Sequence, residues 1–155
     1  MPGWIYKHSC DILAGKMIVR GGEIFEERNG KKYYRANLED YSLDPLSATW
    51  QQITNRNWPH FLIHRMDNKL LSSKLLPEPE EFIPEPFKEA VVPGEKWPKV
   101  RFVAKNVEVV LLVNRYRAEI IFEGNTPGNQ AVKIAEEICG NIEEHSQSEC
   151  LLESL

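Results

Sequence analysis

The stretch from Val100 to Phe122 constrains the fold more than any other, because apolar residues recur there at every second position across three short runs. Side chains two apart on a strand share a face, so this period sorts them into an inner and an outer set. With two-residue turns at Lys105-Asn106 and Asn114-Arg115, Ala104 pairs with Val107, Phe102 with Val109 and Val100 with Leu111. Across the second turn Val113 then pairs with Tyr116, Leu111 with Ala118, Val109 with Ile120 and Val107 with Phe122. That whole face is apolar. The reverse face collects Arg101, Val103, Glu108, Val110, Leu112, Arg117, Glu119 and Ile121, the mixture expected of a thinly covered or partly solvated surface. Arg resists the positive φ that a type I′ turn demands at its second position, which leaves the second loop open to being longer.

An apolar sheet face needs a cover, and the next segment is patterned to supply it. Thr126 as N-cap and Pro127 at the first helical position predict a helix over about 127–142. Ala131, Ile134, Ala135, Ile138 and Ile142 recur at spacings of three and four, whereas Lys133, Glu136, Glu137, Glu143 and Glu144 fall on the other side. Gly140 is read either as the residue that ends the helix or as a tolerated interior glycine. Val109, Ile120, Ile134 and Ile138 are expected to be nearly inaccessible to water. Truncating Val109 or Ile120 to Ala then costs about 2 to 4 kcal/mol, and Arg117→Ala or Glu119→Ala about 1 or less.

The N-terminal half carries one firm signal, the Asn29-Gly30 pair between Glu23–Arg28 and Lys31–Ala36, which predicts a hairpin over 23–36. One face pairs Glu27 with Lys32 and Phe25 with Tyr34. The other pairs Arg28 with Lys31, Glu26 with Tyr33 and Ile24 with Arg35, and is expected to be exposed, positive and aromatic. Ile12-Leu13 and Met17–Val19 flank Ala14-Gly15-Lys16, and Gly21-Gly22 then lead into the hairpin, so a short additional strand is expected. Between the halves, Trp50–Ile53 and His60–Met66 read as strands with helix left open, and Asp67-Asn68 as a turn into Lys69–Leu76. Closely spaced prolines make 77–95 an extended acidic connector, and Phe82, Ile83 and Phe87 within it are expected to dock on the domain. The fold class expected is therefore α+β: an antiparallel meander (100–122) on a C-terminal helix (127–142), an N-terminal hairpin (23–36) and further short strands.

A length of 155 residues suits one domain, taken as 1–144, with a disordered tail at 145–155. Hydrophobic residues at 42% and charged ones at 27% exclude a wholly disordered chain. The longest apolar run, Val109–Val113, is far short of a membrane span, and Lys7, His8, Asp11 and Lys16 break any secretory apolar stretch. The expected compartment is the cytosol, with Cys10, Cys139 and Cys150 as reduced thiols. The net charge of -4 argues against obligatory nucleic-acid binding, although Met1–Leu38 carries seven Lys/Arg against four acids.

No Gly-rich phosphate loop, GxSxG, HExxH or CxxC occurs, so no cofactor and no catalytic residue is assigned, and the balance leans away from an enzyme. His60 and His64 are the one candidate metal pair. On a helix they would share one side, but on a strand they stand about 13 Å apart, so a structural role is favoured. Cys10 beside His8 reads as a packing residue before a nucleophile. Glu39, Asp40, Asp44 and Asp67 are the middle-region carboxylates available for acid/base work, read first as solvated loop acids, with Asp44-Pro45 as a turn start. The hairpin residues Arg28, Lys31, Lys32, Tyr33, Tyr34 and Arg35 form the candidate binding surface, with Trp4, Trp50, Trp58 and Trp97 as further anchors. The leading functional expectation is a small binding or regulatory protein acting through protein-protein contact, such as an inhibitor, immunity-type or accessory factor. The alternatives are single-stranded nucleic-acid binding through the hairpin, or an enzyme with a scattered site around His60, His64 and the middle acids.

Overall fold

The structure is a computed structural model and describes residues 5, 6, 8–28, 30–74, 77–94 and 99–155, without the side chains of Tyr6, Arg28 and Lys31. Its contacts gather into two compact units, Met1–Asn57 and Trp58–Leu155, where length alone suggests one core. The chain is an α+β protein in which every strand pairing among the described residues is antiparallel.

The first unit contains β1 (Ile5–Tyr6), β2 (Ser9–Leu13), β3 (Lys16–Arg20), β4 (Glu23–Arg28), β5 (Lys31–Ala36), β6 (Tyr41–Asp44) and β7 (Thr49–Gln52). They form two sheets, ordered β1-β4-β5 and β2-β3-β6-β7. The β4–β5 register is the one the Asn-Gly turn dictates, with Phe25 opposite Tyr34, Glu26 opposite Tyr33 and Glu27 opposite Lys32. Its two faces are exchanged relative to expectation. Ile24 and Tyr33 are buried while Tyr34 is exposed, because the face bearing Ile24 carries the branched aliphatic group and Tyr33 has a polar partner to satisfy its hydroxyl. At the β2–β3 turn Ala14 and Gly15 both have positive φ (51° and 77°), the type I′ geometry whose twist suits a two-residue hairpin. Asp44 opens the β6–β7 turn by accepting the Leu46 N–H at 3.0 Å.

The second unit is built on β8 (His60–Arg65), a 3₁₀ turn (Pro79–Phe82), the one-turn helix α1 (Glu85–Lys88), β9 (Val91–Val92), β10 (Lys99–Ala104), β11 (Val107–Val113), β12 (Arg117–Phe122), α2 (Gly128–Ser146) and β13 (Cys150–Ser154). The sheet runs β13-β8-β12-β11-β10-β9. The β10–β11 register is as expected, with Ala104 opposite Val107, and Lys105 and Asn106 in the left-handed region. The β11–β12 register is shifted by two residues, so that Val109 faces Phe122, Leu111 faces Ile120 and Val113 faces Ala118. Asn114 causes the shift: its side-chain oxygen accepts the N–H groups of Tyr116 and Arg117, both at 2.8 Å, and moves the turn to Arg115-Tyr116. A two-residue shift preserves the faces. The apolar side therefore keeps Val109, Leu111, Val113, Ala118, Ile120 and Phe122, all buried, while Tyr116 leaves it for solvent.

Helix α2 covers that side with Ala131, Ile134, Ala135, Ile138, Cys139 and Ile142, all buried. It starts one residue later than expected, since Pro127 at φ -56°, ψ 135° is still non-helical, and no side chain caps it. Gly140 is interior, and Gln147 in the left-handed conformation closes the helix with its N–H on the Glu143 carbonyl. Phe82, Ile83 and Phe87 of the connector are buried as expected, with Asn141 Nδ2 donating to the Phe82 carbonyl at 2.8 Å. The prolines do not keep the connector wholly extended. Each of its short helical turns has a proline at its start, the position where the missing N–H is not needed.

The expected tail at 145–155 is corrected. Residues Cys150–Ser154 pair with Phe61–Arg65 and place Leu152 opposite Ile63, so the backbone groups of β8 are satisfied on both sides. The reverse face of the sheet is also less solvated than its sequence suggests: Leu62, Val110, Glu119 and Ile121 are buried, since β8 lays Leu62 beside Glu119 and His60 beside Ile121. Glu119→Ala therefore leaves the tolerant set and is expected to cost about 1 to 3 kcal/mol by orphaning His60. Ile120→Ala should cost about 2 to 5 kcal/mol and Val103→Ala, at the solvent side, about 0.5 or less. Chemical denaturation of the three variants checks this order.

Candidate functional site

The described residues among those singled out for function each have a definite place. On the hairpin, Tyr33 donates its hydroxyl to Glu26 Oε1 at 2.7 Å and Arg35 Nε donates to Glu26 Oε2 at 2.9 Å. Glu26 thus absorbs one tyrosine and one cation of the candidate surface. Lys32 is exposed but stands opposite Glu27, and Tyr34 leans on Phe25 with ring centroids 5.1 Å apart. The side chains of Arg28 and Lys31, with Trp4 and Trp97, lie outside the described residues. Among the described ones, acids of β4 offset the positive charge of β5.

His60 and His64 lie on β8 and point to the same side of the sheet, and each has its own carboxylate. His60 Nε2 is 3.3 Å from Glu119 Oε1 on β12, and His64 Nε2 is 3.7 Å from Glu153 Oε1 on β13. The two imidazoles are divided between neighbouring strands on either side. No group of three or more His, Cys, Asp or Glu among the described residues is placed to hold a metal ion.

The middle acids are occupied as acceptors. Asp40 is buried and takes both Arg56 Nη atoms, each at 3.2 Å, and Arg20 Nε at 3.3 Å. Beside it Glu39 accepts the Thr54 hydroxyl at 2.6 Å and the Arg56 N–H at 2.7 Å, while the Asp40 N–H donates to Thr54 Oγ1 at 2.8 Å. This hub joins residues 37–40 to 54–57, and the hydrogen bonding that Arg56 donates to the Asp40 carboxylate raises the arginine's pKa against the opposing effect of burial. Asp67 accepts two Arg65 N–H groups, at 3.0 and 2.7 Å, and the Lys69 N–H, which together hold its carboxyl below the usual range. Asp44 serves its turn. These carboxylates converge on no common cleft.

A feature that single-strand reading misses lies across β2-β3-β6-β7. Ile12 pairs with Met17, Met17 with Leu43 and Leu43 with Trp50, so four apolar side chains form one transverse row on one face. The β2–β3 and β6–β7 turns lie at the same end of the sheet, next to that row, and Leu46 stands in the second of them. Ile12 at 81%, Met17 at 37% and Leu46 at 97% are exposed, Leu43 and Trp50 are half-buried, and Leu13, exposed at the end of β2, alternates to the opposite face. The signal was present in the strand sequences, but only the register across four strands assembles it. Comparison with known proteins finds no matching family model, no matching curated protein and no matching solved structure.

Two outcomes follow from this chemistry. Arg56→Ala should destabilise the first unit by about 1 to 3 kcal/mol, since the charge-assisted bonds to a buried carboxylate are lost while partial exposure of the arginine tempers the cost; thermal denaturation of the variant measures it. The thiols should also differ. Burial, with Glu143 nearby, pushes Cys139 up to about 11, so it is almost entirely protonated at neutral pH, whereas Cys10 is exposed. Alkylation at neutral pH, read by mass spectrometry, should modify Cys10 first and Cys139 only after denaturant is added.

Proposed function

We propose that this chain is a small binding or regulatory protein that acts by protein-protein contact, in the manner of an inhibitor, immunity-type or accessory factor. The observation that carries the reading is the transverse row Ile12-Met17-Leu43-Trp50 with Leu46 at the adjoining β6–β7 turn. Contiguous exposed apolar groups cost solubility, and aromatic and long aliphatic anchors bordered by polar groups are the composition of interface centres. Lys16 and Asp44, next to the row, supply such a border. The rigid antiparallel frame behind the row limits the entropy lost on docking.

The alternatives have less behind them. Nucleic-acid binding through the hairpin needs uncompensated cations, and Glu26 and Glu27 stand against Arg35 and Lys32. A scattered acid/base site needs convergent groups, and Asp40, Asp67, His60 and His64 each sit with separate partners. Three free thiols, one of them exposed, favour a reducing compartment such as the cytosol. No helix among the described residues is long and apolar enough to cross a membrane.

The test is capture of partners from extract of the native host, with the wild type compared to Ile12→Glu and Leu46→Glu. The wild type should retain defined proteins that both variants lose, and Lys32→Glu should still retain them. Background-only capture, or identical capture by the Glu variants, overturns the reading.

A further inference from the structure

The second unit holds an open cavity of about 620 Å³, within the size range of small-molecule sites and independent of the apolar row. Its cationic lining consists of Arg65, Lys69 and Lys74 against a single carboxylate, Glu81, with the His145 imidazole beside it. The pairing of these groups leaves a surplus. Glu81 is taken by Lys74 and by His145, whose Nε2 lies 3.5 Å away, and Asp67 outside the lining offsets Arg65. Lys69 remains. Its ammonium makes no hydrogen bond or ion pair among the described residues and shares the field of the one carboxylate Asp67 with Arg65, so one positive charge is left over, and the hydroxyls of Ser72 and Ser73 share the wall with it.

The wall is also held in place before anything binds. The N–H groups of Leu71 and Ser72 donate to the Arg115 carbonyl at 2.6 and 3.1 Å, and the Lys74 N–H donates to Ser72 Oγ at 3.2 Å. Arg65 is fixed by Asp67 and by its bond from Nη1 to the Leu70 carbonyl at 3.1 Å. Arg115, at the turn from which this loop hangs, keeps its buried Nε–H without an acceptor among the described residues. On this fixed wall the donors left for a ligand are the three N–H bonds of the Lys69 ammonium and the Ser72 and Ser73 hydroxyls, which favour a compact, multiply charged anion over a monocarboxylate because each can take an oxygen. Tyr116, also in the lining and 57% exposed, offers a ring face to a planar group.

We infer that this cavity binds a small phosphorylated molecule with a planar ring, of the nucleoside monophosphate class. Lys69 and the serine hydroxyls receive the phosphate, Arg65 supports its charge, and Tyr116 packs on the ring. The test uses adenosine 5′-monophosphate, inorganic phosphate and uncharged adenosine, titrated into the full chain at low salt and followed by amide chemical shifts. Both phosphates should saturate and shift residues 69–74 and Tyr116, with the nucleotide the tighter of the two, and adenosine should not. Lys69→Ala should weaken the nucleotide about tenfold with an unchanged melting temperature, as loss of one charge-assisted contact implies. Tyr116→Ala should bring the nucleotide down to the affinity of inorganic phosphate. Absence of saturation by millimolar nucleotide, or an affinity in Lys69→Ala within about twofold of wild type, overturns the assignment. Neither result bears on the apolar row of the other unit.

Discussion

Everything in the second unit depends on one contact, the seal between the apolar stripe of α2 and the apolar side of the β10-β11-β12 meander. Ile134, Ile138 and Ile142 have no exposed surface, and neither do Val109, Leu111, Ile120 and Phe122 opposite them in the same core cluster. A single sheet with one greasy side is unstable in water, and a single amphipathic helix barely forms there, so each is the condition for the other. The connector serves the same seal. Phe82, Ile83 and Phe87 join the cluster, and Phe87 lies 6.1 Å from Phe102 between ring centroids. A proline-rich acidic segment is thereby made part of the core by three side chains.

Much of this was legible from the residues, for a reason the β11–β12 hairpin illustrates. Its turn was misplaced by one residue and its pairing by two, yet every residue went to the right face, because alternation depends on parity and not on which turn residues are chosen. The Asn114 side chain, which sets the true turn, competes with the backbone for two N–H groups, an effect that hydrophobic period does not register. The β4–β5 hairpin shows the opposite case. Register was legible and exposure was not, because one face carries the Phe25-Tyr34 pair and the other Tyr33, and the deciding weight came from Ile24 and from a hydroxyl finding Glu26. Strand β13 was missed because a short run ending in polar residues looks like a tail until an unpaired edge of β8 claims it.

Sites were less legible than fold, and for a physical reason. Charge counts along the chain suggested a basic hairpin, but Coulomb partners are chosen in space: Glu26 lies across from the residues it neutralises, and Asp40 gathers Arg20 from before it and Arg56 from after it. Where opposite charges are paired off, local composition overstates the field. What is left over after pairing, such as the ammonium of Lys69, is visible only once the neighbours are known. The transverse row on β2-β3-β6-β7 has the same character, since none of Ile12, Met17, Leu43 and Trp50 is unusual within its own strand.

The position of β8 within its sheet sets the order in which the second unit can assemble. Its strand is made before both of its neighbours, β12 and β13, which lie more than 50 and 80 residues further along the chain. Until Arg117–Phe122 arrives, His60–Arg65 has no strand to pair with, and its second side stays open until Cys150–Ser154 is made. Pairings so distant along the chain close large loops before they are rewarded, which slows folding. During synthesis the run Phe61-Leu62-Ile63 is thus an unpaired, apolar strand attached to an incomplete sheet, the kind of segment that chaperones bind and that aggregates when translation stalls. Strand β13, itself the edge of the finished sheet, is the piece that takes Phe61-Leu62-Ile63 out of that exposed position.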